Sequence, residues 1–219
     1  MSWKASHMAD PATTPLHLTT CKLPAGTSLH RIHQNIYGAI LFNPGVKGNA
    51  RFSPIADPAG NAIPTLYAGD TFDCAAMESI FHDVPYTPGF KSVAKGKLTG
   101  QVHSEVTTVS ELILVDLRTM ALRKLGMQRK DLIDTEKDCY PATRAVAAQI
   151  HDQQRNAQGL LWTSRQDDSA RSVVLFGDRI APGSLQEAGN SRDLVNDATA
   201  YEAVLNLAER IGVEIVPGV

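Results

Sequence analysis

Hydrophobic and polar positions sort this chain into short strands, a few helices and long connecting loops. Leu29-His30-Arg31-Ile32-His33 carries the alternation of a short strand. A loop rich in glycine and proline follows from Asn43 to Pro64 and holds Arg51. Thr65 to Ala68 predicts a second strand, ended by Gly69-Asp70. Asp70 or Thr71 then caps a helix predicted over about 72–83. Phe72, Ala76 and Ile80 form its apolar stripe, widened by Met77 and Phe81. At about 100° per residue, Glu78 falls away from that stripe, so it faces either water or a cleft.

Further on, Leu112 to Leu117 reads as a buried strand and Lys130 to Cys139 as a charged loop. Pro141 suits the first turn of an alanine-rich helix reaching about His151. Gly159–Trp162 and Ser172–Phe176 predict two more buried strands, joined by the polar run Arg165 to Arg171. A last helix spans about 193–211, and its apolar face is expected to dock on the core, a dimer face being its other use. Strands and helices mix without a regular βαβ rhythm, which predicts the α+β class in one domain.

Composition narrows the function classes. The 219 residues, 43% apolar and 20% charged, suit one globular domain with a sizeable core. A net charge of −2 supplies no field for drawing nucleic acid or anionic membrane. No run approaches the roughly 18 apolar residues of a membrane span. Cys21, Cys74 and Cys139 match no zinc or redox spacing and suit a reducing cytoplasm. Residues 1–8 read as an expression-tag remnant, 9–27 as an extended leader and 28–219 as the folded domain.

Several motifs are missing. No Gly-x-Gly-x-x-Gly follows a strand, and no His-Glu-x-x-His or other metal-ligand spacing occurs, so no metal is expected. Ser164 lies outside any Gly-x-Ser-x-Gly elbow, although a hydrolase using His82 or His103 stays open. What remains is an ordered set of polar residues. Arg51 lies in Gly48-Asn49-Ala50-Arg51-Phe52-Ser53-Pro54, and Tyr67 in Thr65-Leu66-Tyr67-Ala68-Gly69. Glu78 comes eleven residues after Tyr67, and Ser164 follows Gly159-Leu160-Leu161-Trp162-Thr163.

This set resembles the RES-domain family, the NAD-degrading toxins of bacterial RES–Xre toxin–antitoxin systems. The resemblance spans roughly residues 28–180. It implies a fold similar to ADP-ribosyltransferases, NAD as substrate with no bound prosthetic group, and neutralisation by an Xre antitoxin carrying a helix-turn-helix. By motif position it makes Arg51, Tyr67 and Glu78 catalytic, and it adds Arg31 and Ser164 as substrate-binding residues.

The residue types fit that chemistry. Nicotinamide leaves NAD as a neutral molecule, so no general acid is needed. The site must instead stabilise the oxocarbenium ion that develops on the ribose. One carboxylate can do so, arginine forks suit the pyrophosphate, and a tyrosine ring can stack on nicotinamide. Each residue also has an ordinary reading: Glu78 as a solvated helix residue, Arg51 as a surface charge, Tyr67 as a half-buried strand aromatic, Ser164 as a turn cap. Trp162 and Phe176 read as core, and Arg165 and Arg171 as a solvated loop. Two rivals remain open: a protein ADP-ribosyltransferase, and a non-catalytic module that binds a nucleotide or an antitoxin.

Overall fold

Strict alternation builds the centre of the molecule. The structure, a computed structural model, describes residues 15–45 and 47–218. The tag-like residues 1–8 and the first part of the leader lie outside the described residues. Strand β1 is Thr20–Leu23, β2 is Ser28–Gln34 and β3 is Thr65–Gly69. They are followed by β4 (Lys91–Ala94), β5 (Gln101–Thr108) and β6 (Leu112–Asp116). The later strands are β7 (Gly159–Thr163), β8 (Arg171–Phe176), β9 (Leu185–Glu187), β10 (Arg192–Asp193) and β11 (Val213–Val216). Nine of them make one mixed sheet in the order β1-β6-β7-β8-β3-β2-β5-β10, with β9 also on β5.

β5, which the sequence reading passed over, is half-buried and buried at alternate positions along its whole length. It pairs antiparallel with β2 from Ser28↔Thr107 to Gln34↔Gln101. The segment read as a leader supplies β1, which pairs with β6. Among the described residues, parallel pairing within this sheet is confined to β6 and β7. Parallel neighbours need a long crossover, and here it carries α2 (Thr119–Leu125), α3 (Arg129–Leu132) and α4 (Tyr140–Gln153). α2 and α3 were not expected, and α3 lies partly in the stretch read as a charged loop. α4 buries Ala147 and Ile150 against Val115, Trp162 and Phe176.

The first helix, α1 (Phe72–Met77), is shorter than expected. Of the two candidate caps, Thr71 does the work, its hydroxyl accepting from the Cys74 amide at 3.0 Å. After Met77 the bonding changes: the Phe81 amide reaches back to the Ala76 carbonyl, and the Ser79 hydroxyl donates to the Ala75 carbonyl at 2.5 Å. The helix therefore stops with Glu78 as its C-cap, while Ile80 and Phe81 still reach the core. α1 sits tightly on the end of β3. A Cβ at Gly69 would lie 2.8 Å from the Cys74 Cβ and Sγ, so only glycine allows this approach.

The last helix, α5 (Ala198–Arg210), begins at the Asp197 cap, later than expected. It docks on the core as expected, burying Val204, Leu207 and Ala208 against Phe81, Leu98 and Val213. The result is an α+β domain with a mixed sheet. Among the described residues, no helix is long and apolar enough to cross a membrane.

Candidate active site

The turn from β3 into α1 carries Tyr67 and Glu78 to one cavity of about 280 Å³. Arg31 on β2, Arg51 in the 43–64 loop, His82 and Tyr140 complete much of its wall. Ser164 is not on that wall. It is fully buried and stands behind Glu78. Its hydroxyl donates to Glu78 Oε1 at 2.6 Å and accepts the Gln166 and Asp167 amides at 3.0 Å each. Ser164 is thus both the turn cap of the ordinary reading and the support of the carboxylate.

The Arg165 amide gives Glu78 a second bond, 3.2 Å from Oε1. Both bonds fall on Oε1, which leaves Oε2 as the oxygen with capacity to meet a ligand. Arg165 is not the solvated charge expected of its polar run. Its guanidinium instead donates to the Thr135 carbonyl at 2.6 Å and pairs with Glu136. Arg171, by contrast, is exposed and bonds Asp70 at 2.9 Å.

Arg51 is buried in spite of its polar loop. Its NH1 donates to Thr135 Oγ1 at 2.6 Å, and its guanidinium lies 5.1 Å from the centre of the Tyr140 ring. Burial lowers its pKa, opposed by Tyr140 and Glu78. The loop is pinned at two adjacent residues: Thr143 donates to the Arg51 carbonyl at 2.5 Å, and the Phe52 amide donates to the Tyr67 hydroxyl at 3.0 Å.

That last bond defines what Tyr67 offers. Its hydroxyl is committed to the backbone, and burial pushes its pKa up to about 12, so it is no acid or base at neutral pH. The ring remains available to a ligand and stands edge-on to Trp162, with centroids 6.3 Å apart. Cys74 also lines the cavity, but burial raises its thiol to about 12, so it is no nucleophile.

Arg31 differs from Arg51. It is 8% exposed and, among the described residues, pairs with no carboxylate; its Nη1 donates to the carbonyls of Ala39 and Leu41 at 2.5 and 3.1 Å. Its Nε is buried without a partner, and burial lowers its pKa to about 10. A buried cation lacking a counter-ion is costly unless an anion arrives. Among the described residues, no cluster of three His, Cys, Asp or Glu has the geometry to hold a metal.

At the mouth, His82 Nδ1 bonds Asp83 at 2.8 Å and Lys137 bonds the same carboxylate at 2.7 Å. Hydrogen bonds from Lys137 and His82 hold the Asp83 carboxyl at about 2. His82, named from the sequence as a candidate hydrolase base, lies four residues after Glu78, beyond the end of α1. Tyr140 had no signal beyond preceding Pro141.

The family model of the RES domain matches residues 28–197, most of the chain. A search among curated proteins returned no match. With the buried arginines, the cavity tyrosine and the braced glutamate now placed around one cavity, this match is decisive: the chain belongs to the RES-domain family, which is associated with NAD-related toxins.

Proposed function

We propose that the protein cleaves the nicotinamide–ribose bond of NAD, as a glycohydrolase or phosphorylase. The observation that carries this reading is the Glu78 carboxylate, held on Oε1 by Ser164 and the Arg165 amide beside two buried arginines. As the bond to nicotinamide breaks, positive charge grows on the ribose. A fixed carboxylate oxygen stabilises that charge and can hold a ribose hydroxyl, and because it is already oriented it needs no reorganisation. Nicotinamide leaves with the bonding electrons as a neutral base, and an oxygen of water, which gives up a proton to solvent, or of phosphate then bonds to the ribose carbon. Tyr67 presents its ring to the pyridinium, while Arg31 and Arg51 meet the phosphates.

The cavity is too small for the whole dinucleotide. A groove of about 470 Å³ continues from it, sharing His82, Asp83 and Lys137, and has room for the adenosine half. As part of the same proposal, the protein acts in the cytoplasm as a toxin that depletes NAD, and an Xre-type antitoxin restrains it. Kinship with the ADP-ribosyltransferase fold belongs to this proposal too.

The test is incubation of the purified protein with NAD, with and without phosphate, beside Glu78→Gln. Release of nicotinamide by the wild type and not by the variant supports the reading. The co-product then names the acceptor. Folded wild-type protein that leaves NAD intact overturns it.

A further inference from the structure

Among the described residues, two buried side-chain donors lack any hydrogen-bond partner: Arg31 Nε and Trp162 Nε1. Both residues line the same cavity. Buried polar groups are almost always satisfied, and each exception calls for a cause. Two exceptions at one cavity point to a common cause, a ligand that brings its own acceptors.

The two donors ask for different partners. A guanidinium without a counter-ion wants an anion. An indole N–H donates one bond and carries no charge, so a single neutral carbonyl oxygen satisfies it. The protein's own polar groups nearby are already engaged. The Tyr67 hydroxyl takes the Phe52 amide, Ser172 shares its hydroxyl with Cys74, and Glu78 Oε1 holds Ser164 and Arg165. The indole is also fixed in place. Phe52 meets it edge-on at 5.0 Å and Tyr67 at 6.3 Å, and 3% of Trp162 is exposed.

Resting on the NAD reading above, we propose that Trp162 is the residue that recognises nicotinamide, its Nε1–H donating to the carboxamide oxygen. The substrate carries both of the features that the orphan donors need, a phosphate for Arg31 and a neutral carbonyl for Trp162. Tyr67, beside Trp162, offers its ring to the positively charged pyridinium. Trp162 therefore sets specificity through an acceptor at the ring's 3-position, a task separate from the charge stabilisation at Glu78.

The chain has two tryptophans, Trp3 and Trp162, so the indole N–H region of a proton NMR spectrum is readable in the intact protein. Trp3→Phe assigns the Trp162 signal. Nicotinamide should shift that signal downfield on titration, and 3-methylpyridine, which has the ring without the carbonyl, should leave it in place. In a parallel binding titration the wild type should favour nicotinamide over 3-methylpyridine by about tenfold, the scale of one hydrogen bond at a buried site. Trp162→Phe keeps an aromatic ring and should bring that preference close to one. A signal that ignores both compounds, or follows both alike, overturns the assignment, as does a preference that survives Trp162→Phe. These readouts need no turnover. A wild type that leaves NAD intact yet binds nicotinamide through Trp162 would break the proposed function alone.

Discussion

The two sides of the cavity are built on opposite plans. On one side Glu78 is braced through one oxygen: Ser164 and the Arg165 amide hold Oε1, and the same serine caps the turn that delivers them. On the other, Arg31 and Trp162 are buried with donors left open. The braced side has settled its own hydrogen bonding before any ligand arrives, so its geometry is fixed by the fold. The open side carries a desolvation cost that only a ligand relieves. Under the proposed function, the difference separates two tasks, holding a charge for the transition state and binding the substrate, and each can be perturbed without the other.

The largest effect is expected on the braced side. Glu78→Gln keeps the shape and can still accept the Ser164 hydrogen bond, so the melting temperature should stay close to that of the wild type. Nicotinamide release should fall by about 10²–10³-fold in kcat, the usual effect of losing one preorganised electrostatic group. Equal losses in kcat and in stability would mean that Glu78 serves the fold.

Next comes the open side. Arg31→Leu removes a buried cation with no counter-ion, so stability should change little, although the Ala39 and Leu41 carbonyls lose a donor. The KM for NAD should rise by about tenfold or more, the scale of one lost charge-assisted contact. Pyrophosphate at about 100 times its Kd should stabilise the wild type by about 2.7 kcal/mol. In thermal melts that gain should vanish from the variant. A variant still stabilised by pyrophosphate would place the anion site elsewhere.

Ser164→Ala tests whether the brace belongs to both fold and chemistry. The Gln166 and Asp167 amides lose their acceptor, so unfolding should come about 1–3 kcal/mol earlier. Because Glu78 keeps only its longer bond from Arg165, kcat should fall with no matching rise in KM. A change confined to KM would return Ser164 to the substrate-binding role expected from its sequence position.

The smallest effect serves as a control remote from the carboxylate. His103 stacks on His30, and burial, with His30 adding, lowers its pKa from 6.5 to about 4. The unfolded chain then takes up a proton that the fold refuses. Stability is therefore lost as pH falls from about 6.5 toward 4, on the order of 1 kcal/mol for a partly solvated ring. Denaturant melts across that window should show the slope, and His103→Gln should reduce it. His33 and His151 are lowered by burial in the same direction, so a residual slope remains. A slope unchanged by His103→Gln would assign it to those two.

Much of the scaffold could be read directly from side-chain periodicity. Leu112–Asp116 and Arg171–Phe176 each hold four apolar residues in succession; the second run is buried on both faces, while in the first Ile113 is exposed. β5 was less legible: its burial alternates completely, but the polar Ser104 and Thr108 fill two of the four buried positions. The end of α1 was not legible. Phe72 to Phe81 keeps a helical stripe, and only the backbone shows the Ser79 hydroxyl and the Phe81 amide diverting the chain after Met77.

The site divides in the same way. By itself the sequence determined which residue types were at hand: one arginine in a loop, a tyrosine and a glutamate eleven positions apart, a serine after a buried strand. Local spacing carries that much, because a strand followed by a capped helix turn sets the relative direction of Tyr67 and Glu78. Only the tertiary structure decided that Ser164 stands behind Glu78 and that Arg165 faces inward. It alone placed Arg31 in the cavity without a counter-ion and left Trp162 with a free donor. These are statements about which groups lack or find partners far away in the chain, and satisfaction of a buried polar group depends on every neighbour that packing brings to it.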